Sequence, residues 1–220
     1  MIANISKEAL VRKLVEEGRI TQAQAKECTE SAKKKNKTGF QLFHEKGFIA
    51  DEALTEFLSH ELEIPRCMRD IDKTYSLNSI SPLLYKNINN FARRKGKRLR
   101  PFLFAISYLG FAKKIAAGLY KSAVSFELMH DFLLIHDDII DKSATRRGKP
   151  SMHEMLNKFL TNHKNIKFSG QDLSIVTGDI VCAISINSFL AIKEDAKRKE
   201  QALKKFIEAI TYTACGEFIE

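Results

Sequence analysis

The sequence has little of what usually interrupts helices or cross-links chains. In 220 residues it has four prolines, ten glycines, four cysteines and no tryptophan. The scarcity of proline and glycine, the long stretches of helical periodicity and the lack of a convincing alternating strand pattern predict an all-α protein. The cysteines are widely scattered without metal-ligand spacing, so we expect reduced thiols in or near the core.

Long apolar runs and targeting signals are also missing. No stretch approaches the roughly 18 apolar residues that a membrane-spanning helix needs. The N-terminus lacks a basic segment followed by an apolar core and a cleavage site, so no secretory signal is visible. These absences predict a cytoplasmic protein without a transmembrane segment.

The chain is basic, with a formal net charge of +9. Such a charge admits nucleic acid, anionic lipid or a phosphorylated small molecule as a partner. Aromatic residues are not interleaved with the basic runs and no nucleic-acid motif is present, so we expect no nucleic-acid partner. A phosphorylated substrate is the favoured interpretation.

The periodicity predicts a small helical accessory module over residues 1–70 and a larger helical domain over residues 71–220. Their boundary is expected near Pro65–Asp72, where the apolar pattern lapses. Helices are predicted over Ser76–Arg93, Pro101–Leu109, Ala112–Asp141, Gly178–Ala196 and Lys199–Glu220. The polar segment Asn157–Gln171 is interpreted as a mobile surface connection.

A weak internal repeat runs through the first module, in which Glu16–Ala25 parallels Glu45–Leu54. In the first unit Gly18 can end a helix in the left-handed conformation. Thr21 then begins the next helix, with Gln24 at the capping-box position. The repeat resembles the N-terminal domain of type II secretion and pilus assembly ATPases, which implies an accessory interaction or tethering module.

The most informative segment is HDDIIDKSATRRGKP. Residues four apart share a helix face, so Asp137 and Asp141 are expected to converge, with Asp138 nearby. Crowded carboxylates repel one another unless cations lie between them, and oxygen-only ligands favour Mg²⁺ completed by substrate phosphates. The arginines that follow, Arg146 and Arg147, offer planar forks for phosphate oxygens. The segment therefore predicts a metal–diphosphate site.

Two further groups lie upstream of the aspartates. In GKRLRP, Lys97 and Arg100 are three residues apart and can point the same way. His130 lies on the helical stripe of Asp137 and Asp141, about 10 Å before Asp137 at a rise of about 1.5 Å per residue. His130 is either a ligand-binding residue or a satisfied core histidine.

Taken in order, GKRLRP, ELMHDFLLIHDDIID, RRGKP and the Gly178–Asp179 pair resemble the motifs of the trans-polyprenyl diphosphate synthases, the polyprenyl synthetase family of isoprenoid biosynthesis. The resemblance covers about Ser76–Glu220. It implies part of an isoprenoid-synthase-type helical bundle and a transferase that condenses isopentenyl diphosphate with an allylic diphosphate, using Mg²⁺. A terpene cyclase also carries DDxxD, but the basic motifs point to chain elongation.

The resemblance also implies roles for individual residues. Asp137 and Asp141 bind Mg²⁺ with Asp138 nearby, and Arg146 contacts the allylic diphosphate. The residues assigned to the diphosphate of isopentenyl diphosphate are Lys97, Arg100, His130 and Arg147. The matched motifs also contain three residues of less certain role, namely Glu127, His136 and Asp179.

Product length in this family depends on side chains just before the aspartates. Phe132 lies five residues and Leu133 four residues before Asp137. A phenylalanine at that depth would block a tunnel about 7.5 Å along the helix, which favours a short product of the farnesyl or geranylgeranyl class. The alternative is that Phe132 is ordinary core.

The second aspartate-rich motif of the family is not found in the sequence. The aspartates after Asp141 are Asp172, Asp179 and Asp195, none of them in a DDxxD context. We expect a chain that resembles the front half of a synthase and has little transfer activity alone. The alternative is a non-catalytic subunit that binds diphosphate or a synthase partner, and homodimers are usual in the family.

Overall fold

The computed structural model of the protein describes residues 15, 18, 20–35, 64–94, 98–112, 115–163 and 167–219. Its helices within these ranges are α1 (Gln22–Lys35), α2 (Ile64–Tyr75), α3 (Leu77–Ile80), α4 (Pro82–Ala92), α5 (Leu99–Phe111), α6 (Leu119–Ile140), α7 (Met152–Leu160), α8 (Gly170–Phe189) and α9 (Ala196–Ile219). Between α6 and α7, β1 (Thr145–Arg146) and β2 (Lys149–Pro150) form an antiparallel hairpin. The predicted all-α class is confirmed for the described ranges, with this short hairpin as the exception.

The segment before α1 has the local geometry that the sequence predicts. Gly18 adopts φ +68°, and its N–H donates to the Val15 carbonyl at 3.0 Å. Thr21 N–H donates to Gln24 Oε1 at 2.8 Å, and Gln24 N–H donates to Thr21 Oγ1 at 3.2 Å. This capping box satisfies amides that the first helical turn leaves free. The second repeat unit, Glu45–Leu54, lies outside the described residues.

The main core forms where the shorter helices meet α6 and α8. Helix α6 is central: α8 runs along it, α4 and α5 pack on it, and α7 packs on α8. The most deeply buried apolar side chains at this junction include Ile71, Ile88, Phe91, Ala105, Leu128, Ile135 and Val181. Each of the larger ones contributes about 1.5–3 kcal/mol by leaving water. The side chains of α6 that the sequence singles out are therefore carried by a well-packed helix.

Helix α2 covers the segment where the boundary was expected, Pro65–Asp72. Its buried residues recur at i, i+3, i+4 and i+7, namely Ile64, Cys67, Met68 and Ile71. This is the spacing of one helical face, and these residues belong to the main core. The main core therefore includes residues from Ile64 onward.

The predicted helix over Ser76–Arg93 is divided in two. Ser81 is extended, with φ −150°, and separates α3 from α4. The residue before a proline is disfavoured in the helical region, and Pro82 follows directly. Ser81 then caps α4, because its Oγ accepts from the Leu84 N–H at 3.3 Å.

Helix α6 begins at Leu119 rather than at the predicted Ala112. The reason is Gly118, which adopts φ +84°. A Cβ at this position would lie 2.2 Å from the Ala191 carbonyl oxygen. The neighbouring Ala117 carbonyl accepts from the Lys193 N–H at 2.8 Å. Glycine therefore lets the start of α6 meet the segment that follows α8.

The expected surface connection over Asn157–Gln171 is wrong at both ends. Helix α7 runs to Leu160, and α8 begins at Gly170 instead of Gly178. Ser169 and Asp172 form a capping box at the start of α8. Several polar residues of the segment therefore cap or join helices.

Helix α8 is the one helix in the described ranges that is long and apolar enough to cross a membrane, by length and composition alone. It packs along α6 and against α7. Core helices of folded domains pass the same test, so the composition of α8 is weak evidence for a membrane span.

Candidate active site

The predicted metal-binding residues lie at the end of α6. Asp137 and Asp138 are in its last turn, and Asp141 is its C-cap residue, whose N–H donates to the Asp137 carbonyl at 2.8 Å. Asp138 is buried, Asp137 is partly exposed and Asp141 is exposed. The two acids four residues apart therefore face outward together, and the acid beside Asp137 faces the core.

A third carboxylate, from α9, lies beside the outward-facing pair. Ligand oxygens of Asp137, Asp141 and Glu217 all lie within 4.8 Å of one another. Like charges this close disfavour one another, and oxygen-only donors are the set that Mg²⁺ prefers. The residues therefore fit the expected metal. No motif marks Glu217 in the sequence, because the packing of α9 brings it to α6.

Arg146 lies on β1 and faces two of the aspartates. Its Nε donates to Asp138 Oδ1 at 2.7 Å, and its Nη2 donates to Asp137 Oδ2 at 2.7 Å. The hydrogen bond to Asp138 is the main cause that raises the pKa of Arg146. Burial raises the pKa of Asp138, and the bond from Arg146 opposes that shift. Arg146 is thus held against the start of the acidic cluster.

The hairpin that carries Arg146 has a tight two-residue turn. Arg146 pairs with Lys149, and the residues between them, Arg147 and Gly148, adopt φ 55° and φ 71°. Two successive left-handed residues are the signature of a type I′ hairpin turn. A left-handed conformation is unfavourable for arginine, so the surrounding contacts must hold Arg147 in place.

Arg94 supports the hairpin on both of its strands. It is 2% exposed, and its guanidinium donates to the Arg146 carbonyl at 3.2 Å and to the Pro150 carbonyl at 2.7 Å. The guanidinium also lies 4.5 Å from the centre of the Phe91 ring. The sequence reasoning did not select Arg94, because a basic residue in the run RRKGKRLR gives no sign of which arginine is buried.

Behind the hairpin lies a buried charge cluster, which we define as Arg98, Glu127, Asp131 and Arg147. Glu127 Oε1 accepts from Arg98 Nη1 and also from Arg147 Nη2, the latter at 3.1 Å. Asp131 Oδ1 lies 3.6 Å from Arg147 Nη1, which is too far for a good hydrogen bond. Burial raises the pKa of Asp131 to about 8, and the charge of Glu127 adds to the shift. Arg147, which the resemblance assigns to a diphosphate, therefore rests on acidic side chains of α6.

Arg100 and His130 line one cavity of about 360 Å³. Burial lowers the pKa of His130 to about 4, and the positive charge of Arg100 adds to the shift. The imidazole is therefore neutral at physiological pH and acts through hydrogen bonding. Lys205 of α9, which the sequence reasoning did not select, lines the same cavity. Lys97 lies outside the described residues.

The structure separates the two residues considered for product length. Leu133 lines the 360 Å³ cavity together with Phe126 and Met129. Phe132 packs against the core, and its ring centre lies 4.8 Å from that of His136. The α6 side chain that reaches the cavity from this pair is therefore Leu133.

Gly178 sets how closely α8 approaches the end of α6. A Cβ on Gly178 would lie 2.3 Å from His136 Nε2. His136 Nε2 also lies 3.3 Å from the Ile175 carbonyl oxygen and 3.7 Å from Asp179 Oδ1. The motif residues of less certain role, His136 and Asp179, thus lie at the packing of α8 against α6.

A larger and mostly apolar cavity of about 890 Å³ lies between α5, α8 and α9. Phe104, Phe189 and Ala202 line both cavities. The ring centres of Phe104 and Phe189 are 6.2 Å apart. An apolar chain that passed from the smaller cavity to the larger one would move past these rings.

This helical bundle has carboxylates gathered at the end of its central helix and an arginine hairpin beside them. It has the fold of part of the helical isoprenoid synthases. The chain belongs to the polyprenyl synthetase family, whose family model matches residues 81–220. The expected family is therefore confirmed for this part of the chain. The N-terminal resemblance to secretion ATPases stays a prediction.

Relatives and solved structures agree with this membership. The chain is 31% identical over 137 residues to the short chain isoprenyl diphosphate synthase of Methanocaldococcus jannaschii. The match covers 62% of this chain and 36% of that protein. It is 34% identical over 121 residues to the geranylgeranyl diphosphate synthase of Sulfolobus acidocaldarius. That match covers 55% of this chain and 32% of that protein.

Among solved structures, geranylgeranyl pyrophosphate synthetase from Pyrococcus horikoshii matches with a TM-score of 0.54 and 24% identity, over 74% of this chain and 46% of that one. The Corynebacterium glutamicum geranylgeranyl pyrophosphate synthase was solved with isoprenyl diphosphate and magnesium. It matches with a TM-score of 0.52 and 24% identity, over 64% of this chain and 42% of that one. The matched region spans about a third of the length of the two curated relatives.

Proposed function

We propose that this chain carries the Mg²⁺- and diphosphate-binding part of a prenyl diphosphate synthase. The observation that carries the proposal is the placement of Asp137, Asp141 and Glu217 beside Arg146 at one end of α6. The similarity to short-chain isoprenyl and geranylgeranyl diphosphate synthases supports it. The proposed substrates are isopentenyl diphosphate and an allylic diphosphate, and the enzyme class is a transferase of isoprenoid biosynthesis.

The outward-facing carboxylates, Asp137 and Asp141 with Glu217, would hold Mg²⁺. A bound Mg²⁺ neutralises diphosphate charge and thereby makes the diphosphate a better leaving group. Asp138 has a different role in this proposal, because it is buried and holds the Arg146 guanidinium in place. Arg146 then binds an oxygen of the allylic diphosphate through charge-assisted hydrogen bonds.

The second diphosphate, that of isopentenyl diphosphate, is assigned to Arg100, His130 and Arg147, together with Lys97. His130 is neutral, so it contributes a directed hydrogen bond while the arginines contribute charge. When the allylic carbon–oxygen bond breaks, negative charge grows on the leaving diphosphate, and pre-positioned cations stabilise it. The allylic carbon bonds to the isopentenyl double bond, and loss of one proton from the resulting cation leaves a product one isoprene unit longer.

We assign a short product, of the farnesyl or geranylgeranyl class. Of the two residues considered for product length, Leu133 is the one that lines the smaller cavity, and Phe104 and Phe189 line both cavities. In this proposal Phe132 acts indirectly, by packing the segment of α6 that precedes the aspartates.

The proposal also includes a cytoplasmic location and assembly as a homodimer or with a synthase partner, as is usual in the family. The proposal includes neither a nucleic-acid partner nor a transmembrane segment. The residues before α2 are proposed to be a helical interaction or tethering module, since Ile64, Cys67 and Met68 of α2 belong to the main core. The capping box at Thr21 supports a helix there, α1 (Gln22–Lys35).

Binding and transfer assays on the full chain test the proposal. Calorimetry should show that isopentenyl diphosphate and an allylic diphosphate bind in the presence of Mg²⁺. Asp137→Asn should weaken Mn²⁺ binding, measured by electron paramagnetic resonance, by about tenfold or more, since even the outer partners of metal ligands cost that much. The matched control is Glu200→Gln, which removes the exposed ion pair with Lys204 and should leave binding unchanged.

The same samples, supplied with labelled isopentenyl diphosphate, report on turnover. We expect little chain extension by this chain alone, and efficient extension would contradict that expectation. A wild-type chain that binds neither diphosphate with Mg²⁺ present would contradict the proposed function. Stable purification of this chain as a complex with a complete synthase, together with tight binding and no turnover by this chain alone, would favour the non-catalytic diphosphate-binding subunit instead.

A further inference from the structure

The buried charge cluster joins two basic segments that lie far apart in the sequence. Arg98 precedes α5 and Arg147 occupies the hairpin turn, yet both donate to the same oxygen, Oε1 of Glu127. Glu127 is 3% exposed and lies in the middle of α6. One buried carboxylate on the central helix therefore connects the segment GKRLRP to the segment RRGKP.

We propose that Glu127 is a positioning residue for binding of the second diphosphate. It holds Arg147 in the left-handed turn and Arg98 at the start of α5, and so aligns the segments that carry Arg147 and Arg100. This inference rests on the proposed function, in which Arg100 and Arg147 contact the diphosphate of isopentenyl diphosphate.

The contacts show why Glu127, rather than its neighbour Asp131, has this role. Glu127 accepts from Arg147 at 3.1 Å, whereas Asp131 lies 3.6 Å away and neither of its carboxyl oxygens has a hydrogen-bond partner in the described part of the chain. Asp131 is also mainly protonated near neutral pH, because burial raises its pKa to about 8. The carboxylate that accepts hydrogen bonds from both arginines is therefore Glu127.

The placement of Arg98 strengthens the argument. Arg98 is 8% exposed and has φ 50°, a left-handed conformation immediately before α5. Its Nη2 donates to the Ala92 carbonyl at 2.8 Å and to the Arg94 carbonyl. Arg98 thus ties the end of α4 to α5, and Glu127 fixes the guanidinium that makes these bonds. Replacement of the Glu127 carboxylate would leave the buried Arg98 guanidinium and the partly buried Arg147 guanidinium with weaker partners.

The test compares Glu127→Gln with wild type and with Glu200→Gln, an exposed carboxylate that serves as the matched control. Hydrogen–deuterium exchange without ligand should be faster at residues 145–150 in Glu127→Gln, and unchanged in the control. Affinities for isopentenyl diphosphate and for inorganic pyrophosphate, measured by calorimetry, should fall by about tenfold or more, the loss expected for one charge-assisted contact. Mn²⁺ affinity should stay at the wild-type value, which general loosening of the fold would not allow.

A double variant makes the test specific to Arg147. If Glu127 acts through Arg147, the affinity loss in Glu127→Gln/Arg147→Lys should be much smaller than the product of the two single losses. Fully multiplicative losses would overturn the inference, and so would unchanged exchange at residues 145–150. If Glu127→Gln does not fold, as judged by circular dichroism, Glu127→Asp takes its place. That variant keeps the charge on a shorter side chain, and the same outcomes apply.

Failure of the proposed function can be told apart from failure of this inference. A wild-type chain that binds Mn²⁺ but neither isopentenyl diphosphate nor pyrophosphate would overturn the binding role of the two basic segments. A chain that binds both ligands normally, and whose Glu127→Gln variant also does, would leave the proposed function standing and overturn the role of Glu127.

Discussion

Burial separates side chains that are alike in the sequence. Asp137 and Asp138 are adjacent, yet the first faces Asp141 and Glu217 while the second is buried against Arg146. Successive residues on a helix point about 100° apart, so neighbours on α6 meet different surroundings. The DDxxD motif of this chain therefore contains neighbouring aspartates in two different surroundings, one beside other carboxylates and one buried against an arginine.

In the basic run, Arg94 is buried while its neighbour Arg93 is exposed. The contribution of Arg94 to stability can be measured. Arg94→Met keeps a side chain of similar length but leaves the Arg146 and Pro150 carbonyls without their donor. We expect the free energy of unfolding to fall by about 2–4 kcal/mol, because a buried hydrogen-bonded charge is lost. Urea titration followed by circular dichroism measures the change.

The neighbouring Arg93 is exposed and provides the control for Arg94. Arg93→Met should change the free energy of unfolding by no more than about 0.5 kcal/mol. Equal stabilities for the two variants would show that the contacts of Arg94 with the hairpin carry no stability.

The raised pKa of Asp131 predicts a dependence of stability on pH. The pKa of its carboxyl is about 8 in the folded protein, against an ordinary value of 3.8. Between these values the unfolded chain releases a proton that the folded chain keeps, so this group lowers the free energy of unfolding as pH rises. This pH-dependent loss is absent in Asp131→Asn. The free energy of unfolding of the variant should therefore rise relative to wild type from about pH 4 to about pH 8, by on the order of 5 kcal/mol in total.

Urea titrations at several pH values measure this difference. Asp195→Asn is the control, because Asp195 is exposed and accepts from the Arg198 N–H, a bond that asparagine can keep. The free energy of unfolding of this control should depend on pH in the same way as that of wild type. A parallel profile for Asp131→Asn as well would contradict the buried, protonated state of Asp131.

Among the helices and the hairpin, glycines decide how closely neighbours approach. Gly178 lets α8 pack against His136 near the end of α6, and Gly118 lets the start of α6 meet the segment after α8. These two contacts lie at opposite ends of α6. Neighbouring segments therefore approach the central helix closely near both of its ends, and the end near Gly178 carries the aspartates.

Alanine substitutions on two helices test this packing. Gly178→Ala places a Cβ 2.3 Å from His136 Nε2, so the free energy of unfolding should fall by about 1–3 kcal/mol. Gly216→Ala, on α9, meets no atom within 4 Å and should leave stability unchanged or raise it by up to about 1 kcal/mol. Thermal and urea unfolding measure both. A stabilising Gly178→Ala would show that α8 does not rely on this close approach.

Some elements could be predicted from the sequence because their signals are local. The capping box of Thr21 and Gln24 involves residues three apart, and the helical spacing of Asp137 and Asp141 spans one turn. Other features, such as the position of Glu217 beside Asp137, depend on contacts between distant residues, which local sequence patterns do not display. The separation of α3 from α4 at Ser81 was a local signal that was missed, since Pro82 marks it.

Considered as a whole molecule, the fold gathers segments from distant parts of the chain at one region. The hairpin, the start of α5 and the end of α9 all reach α6. Beside them lie the two cavities that share Phe104 and Phe189. Membership of the polyprenyl synthetase family accounts for this arrangement over residues 81–220.

The sequence by itself determined the helical class, the family and the segments that carry the candidate chemistry, because periodicity and ordered motifs are written in local spacing. The tertiary structure decided which members of those segments meet. It brought Glu217 to the aspartates, buried Arg94 under the hairpin and joined Arg98 to Arg147 through Glu127. The physical reason is that burial and ion pairing depend on how helices pack. That packing is set by side chains far apart in the chain.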